Sequence, residues 1–263
     1  MRTTILEYDK AHIVDLAKEG KRADGRKLDE MRDLEMELDI SENAEGSARV
    51  KLGKTEVIAG TKILPGEPYP DSPDEGSISV NAELLPLANP EYEAGPPSVD
   101  QVEFSRVVDR GIRESKAMDF KKLCIREGEL SLTVFIDYYA INADGNMIDA
   151  GAIASLLAVR ESKIPKLDEN GKVVKGEYKG KLELERLPIQ TTFVKVAGKI
   201  MLDPTYLEEK AAEAKFSVAT TEDGYLCSFQ KSTGGSFTAK EVDEMIDIAF
   251  KVAKEVRKKL EKI

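Results

Sequence analysis

Tryptophan is absent from this 263-residue chain, histidine occurs once and cysteine twice. Each shortage removes a class of chemistry. Cys124, Cys227 and His12 cannot build a Cys/His zinc site without carboxylates. A Cys–His nucleophilic pair would have to use His12, which falls in a terminal amphipathic stretch and reads as a surface or packing residue. Both cysteines lie in contexts that read as strand interior, where a thiol behaves as a small hydrophobe. A structural disulfide is disfavoured in a reducing compartment. No apolar run approaches the roughly 18–20 residues that span a membrane. Residues 1–9 lack the apolar centre of a signal peptide. The expectation is a cytoplasmic protein with no membrane partner. Positive charge is in deficit too: the formal net charge of −10 argues against nucleic-acid binding over the whole surface, while leaving room for a local basic patch inside an assembly.

With 41% hydrophobic and 33% charged residues, the chain is globular rather than disordered, as one large domain or two small ones. Its wealth of lysine and glutamate leans toward a heat-adapted source.

Local patterns give the elements. Asp9 can cap a first helix with Ile13, Leu16 and Ala17 on one face and Gly20 at its end. Residues 47–52 and 55–63 read as strands around a Gly53-Lys54 turn. Pro65, Pro68, Pro70 and Pro73 mark residues 65–76 as loop. A strand over 78–85 and a second proline-rich loop over 86–97 follow. Phe104, Val108 and Ile112 recur at helical spacing within 99–118. Residues 132–141 read as a strand, and 150–159 as a buried helix of small residues packed on a sheet. Residues 163–181 form an exposed lysine- and glycine-rich excursion, with further strands at 191–197, 199–202, 214–220 and 224–229. Thr238 and Glu241 make a capping box ahead of a stripe from Val242 to Leu260. Strands followed by helices, twice over, give an α/β (α+β) class. The organisation read from this is a helix and basic arm over 1–29, a first half over 30–165 and a second over 185–263.

Several stretches, in order along nearly the whole chain, resemble the RNase PH family. They are Arg22-Ala23-Asp24-Gly25-Arg26, residues 46–57, residues 109–115, Ala143-Asp144-Gly145-Asn146, Leu202-Asp203 and Gly235-Ser236-Phe237-Thr238. Residues 107–117, 83–88 and 95–97 are most similar to the non-catalytic RNase PH-type subunit of the archaeal exosome. The resemblance implies a duplicated fold like domain 2 of ribosomal protein S5. It also implies a hexameric ring of three pairs of active and inactive subunits, with RNA-binding cap subunits, that degrades single-stranded RNA from its 3′ end with phosphate. Phosphate, and Mg²⁺ beside it, would be used by the active partner.

Active members are expected to carry a glycine-threonine-arginine phosphate loop where this chain has Asn146, Met147 and Ile148. Met and Ile bring no charge and no side-chain donor. Of the two carboxylates expected in an active second half, the first position holds Glu209 and the second Lys215, which would repel a divalent metal. Glu213 falls in a different strand phase. No catalytic, cofactor-binding or metal-binding residue is therefore assigned.

Arg106, Arg110 and Arg113 share a helical face opposite Phe104, Val108 and Ile112. Unaided, they read as a solvated face bridged to Asp109, Glu103 and Glu114. The resemblance turns them into RNA contacts reaching into the partner's site, Arg106 and Arg110 ahead of Arg113, because a guanidinium fork pairs with phosphate oxygens. The rival readings are an active phosphorolytic exoribonuclease using Glu209, and a free-standing acidic interaction module that gives the arginines no task.

Overall fold

The computed structural model describes residues 2–263, with side chains from Glu7 onward. Period-two alternation builds the first sheet from β1 (Leu34–Leu38), β2 (Gly46–Leu52), β3 (Thr55–Gly66), β4 (Ser77–Glu83), β5 (Cys124–Arg126) and β6 (Leu130–Asn142). Its order is β1-β2-β3-β6-β4, with β5 paired to β6. All pairs are antiparallel except β4 with β6. Val50, Val57, Ala59, Ile63, Val134 and Ile136 point inward and are fully buried. The β2–β3 hairpin turns at Gly53-Lys54, pairing Leu52 with Thr55, and Gly53 supplies the left-handed φ of +58°.

Strand β3 runs on through Pro65, where a loop is expected from the sequence; Pro65 pairs with Leu132 of β6. The reason lies on the opposite edge. Strand β2 ends opposite Thr61, and the N–H of Ile63 donates to the Glu45 side chain on that side. Two residues on, Pro65 faces the same open edge, where a missing N–H costs no ladder bond.

Two helices lie behind this sheet, α2 (Val99–Glu114) and α3 (Met147–Glu161). Helix α3 packs on β2 and β3, and also on β9 of a second sheet. Close approach needs small residues: a Cβ on Gly151 would stand 2.7 Å from the Tyr138 ring. The second sheet, order β10-β9-β11-β12, comprises β9 (Ile189–Val196), β10 (Lys199–Leu202), β11 (Ala214–Thr220) and β12 (Leu226–Ser232). Between its strands lies the short α4 (Tyr206–Ala211). Helix α5 (Ala239–Leu260) sets Met245 and Ala249 against Phe193, Phe216 and Val218 of that sheet. Further along it, Val256 and Leu260 join the core of the first sheet. Between the sheets in sequence, β7 (Lys163–Leu167) and β8 (Val173–Lys181) form a separate, mostly exposed ribbon.

Helix α1 spans Arg2–Lys18, so Asp9 lies within it rather than capping it. Ile13 and Ala17 bury against Val194, Val196 and Met201; once that contact anchors one turn, extension is inexpensive. Helix α2 stops at Glu114 rather than Met118, because Lys116 adopts φ +53°. Cys124 opens β5 and Cys227 lies within β12; both are free and partly buried. His12 is exposed. Among the described residues, no helix is long and apolar enough to cross a membrane.

Candidate nucleic-acid interface

The basic arm folds onto one turn of the second sheet. Arg32 donates from Nε to Asp203 Oδ2 at 2.9 Å and from Nη2 to Oδ1 at 2.7 Å. Arg22 grips the buried Glu208 from Nε at 2.8 Å, and the carbonyls of Leu202 and Asp203 at 2.8 and 2.9 Å. Arg26 is braced by Asp24 at 2.7 Å and reaches Asp203 at 3.2 Å. Burial alone would raise the Asp203 carboxyl; Arg32 outweighs it and holds the group below the usual carboxylate range. The Arg22-Ala23-Asp24-Gly25-Arg26 signature is thus a clasp between the arm and the second sheet.

The clasp fixes the entrance to α3. Asn146 is its N-cap in the left-handed region, φ 52°. Gly145 precedes it at φ +80°, where a Cβ would stand 2.4 Å from the Thr205 backbone. Asn146 Nδ2 donates to Asp203 at 2.6 Å and to Asp149 at 2.8 Å. Asp149 also accepts from the Thr192 N–H at 2.9 Å and its hydroxyl at 2.7 Å. Burial pushes the Asp149 carboxyl up to about 7 despite these donors. Met147 and Ile148 are core residues, 2% and 1% exposed.

Helix N-termini attract anions. Here the anion is internal: the Asn146 N–H donates to Glu209 Oε1 at 3.2 Å. Burial raises the pKa of Glu209, partly offset by the Lys215 charge and the Asn146 N–H. Beside it is a cavity of about 290 Å³, lined by Tyr92, Phe104, Met147, Tyr206, Glu209 and Lys215 among others. Lys215 extends its ammonium to 5.3 Å from the centre of the Phe104 ring. Glu213 is exposed and outside that lining. Glu91 and Asp100 line the same cavity with Glu209, and Lys210 and Lys215 set two ammonium groups among these carboxylates. Among the described residues, no group of three or more His, Cys, Asp or Glu is placed to hold a metal.

On α2, a Ser98–Gln101 capping box starts the helix, and Phe104, Val107, Val108 and Ile112 bury one side. The three arginines differ in their surroundings. Arg106 is exposed, and its side chain has no hydrogen bond or ion pair among the described residues. Arg113 is ion-paired with Asp109 at 2.7 Å. Arg110 is half-buried and donates to Gln230 Oε1 of β12 at 2.6 Å. Glu103 accepts from Ser232 and Gln230 rather than from an arginine. The solvated-face pairing therefore holds for Arg113 with Asp109, while Arg110 and Glu103 are tied to the second sheet. The sequence marks Asp203 within the Leu202-Asp203 stretch but gives it no task, and it assigns none to Gln230 or Asp149, although Asp149 is a carboxylate in an otherwise apolar helix.

Residues 30–165 match the 3′ exoribonuclease family, domain 1, and residues 186–252 match domain 2 of the same family. The chain belongs to the RNase PH 3′ exoribonuclease family. It is similar to the exosome complex component Rrp42 of Thermococcus onnurineus, 46% identical over 253 residues, covering 95% of this chain and 93% of that one. The corresponding protein of Methanocella arvoryzae is 46% identical over 259 residues, covering 98% of each. Among solved structures, a chain of the Archaeoglobus fulgidus exosome with RNA bound to the active site superposes with a TM-score of 0.92 at 40% identity, covering 98% of this chain and 99% of that one. A chain of an archaeal exosome core gives 0.87 at 37%, covering 99% and 100%.

Proposed function

We propose that this RNase PH-family chain is a non-catalytic subunit of an archaeal exosome ring for 3′-to-5′ phosphorolytic RNA degradation. It pairs with an active RNase PH-type homologue, and three such pairs close a hexameric ring by heterologous contacts. RNA-binding cap subunits sit on that ring. The observation that carries the reading is the entrance to α3, where the Glu209 carboxylate already takes the amide a phosphate would need. The relatives named as exosome components support the assembly. Phosphate and Mg²⁺ belong to the partner's site. This chain's part is to present α2 to RNA held there, Arg106 foremost.

A second reading, an active phosphorolytic exoribonuclease in its own right, draws on the raised pKa of Glu209, which suits a general acid. It is weaker, because Lys215 shares that cavity and Met147 and Ile148 give nothing to a phosphate. Native mass spectrometry of this chain mixed with its active homologue tests the proposal: a ring of three pairs is expected. Separate species at micromolar concentration overturn it.

A further inference from the structure

A second cavity, of about 340 Å³, lies at the far end of α2. It is lined by Tyr69, Asp71, Ser72, Glu75, Ser77 and Phe120, with Arg113 in its wall. Tyr69 is 64% exposed, yet the loop carrying it is tied down. The Ser72 N–H donates to the Tyr69 carbonyl at 3.0 Å, the Gly76 N–H to Phe120 at 2.8 Å and the Gly128 N–H to Pro73 at 2.9 Å. Lys121 pairs with Asp74 at 2.8 Å. Four prolines stiffen the same segment. An aromatic ring is thus held out to solvent without the ordering cost of a mobile loop.

We infer that this cavity is a nucleobase subsite, which takes one unstacked base of the RNA strand whose phosphates run along α2. The inference rests on the reading of α2 as an RNA-facing helix. Arg106 and Arg113 are seven positions apart, about 10 Å along the axis, so the face ends at the cavity mouth. Tyr69 and Phe120 offer rings for stacking. Asp71 and Glu75 accept from an exocyclic amino group, as carboxylates do from cytosine N4. Adenine, cytosine and guanine carry such a group and uracil does not. Arg113, braced by Asp109, is left to pair with the adjoining phosphate.

The test uses the ring reconstituted with the active homologue, without phosphate so that RNA is not consumed. Fluorescence anisotropy measures binding of a labelled oligoadenylate and of a series with one abasic position moved along the strand. Tyr69→Ala should weaken oligoadenylate binding on the order of tenfold, Tyr69→Phe should bind like wild type, and oligouridylate should lose less. At one abasic position, wild type and Tyr69→Ala should bind alike. The subsite is overturned if Tyr69→Ala binds oligoadenylate normally, if its defect is the same at every abasic position, or if it loses partner or cap association instead, which would make this a protein-docking pocket. Arg106→Ala separates the two readings. If it weakens binding and Tyr69→Ala does not, only the subsite falls; if neither matters, the RNA-facing reading of α2 falls with it.

Discussion

The Asn146 amide and the Glu209 carboxylate, 63 positions apart in the chain, meet at 3.2 Å across the entrance to α3. That amide at the helix entrance is therefore already taken by a side chain of this same chain. The Arg32–Asp203 pair holds the turn in place, and Asn146 is bonded to the same Asp203. The Asn146–Glu209 contact is therefore built into the joint between the sheets.

Rebuilding the phosphate loop by substitution should fail. Ile148 is 1% exposed, so Ile148→Arg puts an unpaired guanidinium into the core and should cost roughly 3 kcal/mol or more. Urea unfolding measures the loss. The variant should release no nucleoside diphosphate from RNA; a stable, active Ile148→Arg chain contradicts this account.

The two leading arginines should separate experimentally. Arg106→Ala removes an exposed side chain that makes no hydrogen bond or ion pair among the described residues and acts on Asp109 only through its charge, so stability should stay within about 0.5 kcal/mol of wild type. Arg110→Ala loses the bond to Gln230 and should cost about 1 kcal/mol. Each should weaken RNA binding by the ring on the order of tenfold, less so at high salt. Thermal unfolding and anisotropy together read both effects.

Asp203→Ala should be severe. It removes the two-point carboxylate partner of the buried Arg32 and leaves only Asp144, at 3.9 Å, to face its charge, at a cost of about 3 kcal/mol. Limited proteolysis should cut the connection between α1 and β1, residues 19–33, in the variant well before wild type.

Asp149 gives a pH signature with a defined sign. Its folded pKa of about 7 lies above the ordinary carboxylate value. Between the two, the folded state keeps a proton that the unfolded chain releases. This contribution is fully present at low pH and is lost as pH rises toward 7, with a slope of up to about 1.4 kcal/mol per pH unit. Asp203, held below its usual value, acts in the opposite sense and only at lower pH. Thr192 can accept the Asp149 proton by turning its own hydroxyl to Ser217, 2.8 Å away. Wild type should lose more stability than Asp149→Asn between pH 5 and pH 7.5 in chemical denaturation; equal losses refute the assignment.

The legible parts of the fold were those written in local chemistry. Gly53-Lys54 between alternating runs, the Thr238–Glu241 box and the small residues of α3 each declare their element within a few positions. Pro65 misled because its tolerance depends on where β2 ends, which is a matter of sheet registry. Arg110 misled because helical spacing gives its face but not the neighbour: Gln230 is 120 positions away and reaches it only through the packing of β12. That Met147 and Ile148 bring neither charge nor a side-chain donor was legible in the sequence; the contact of Glu209 with the Asn146 amide was not, since α4 had to be placed first.

The most direct measurement is release of nucleoside diphosphates from 3′-labelled single-stranded RNA, with phosphate and Mg²⁺, by this chain alone and by the chain mixed with its active homologue. The account predicts none from the pure chain, and processive release from the mixture that falls sharply when Arg106 is replaced by alanine. Processive release by the pure chain, freed of any trace of partner, would contradict it.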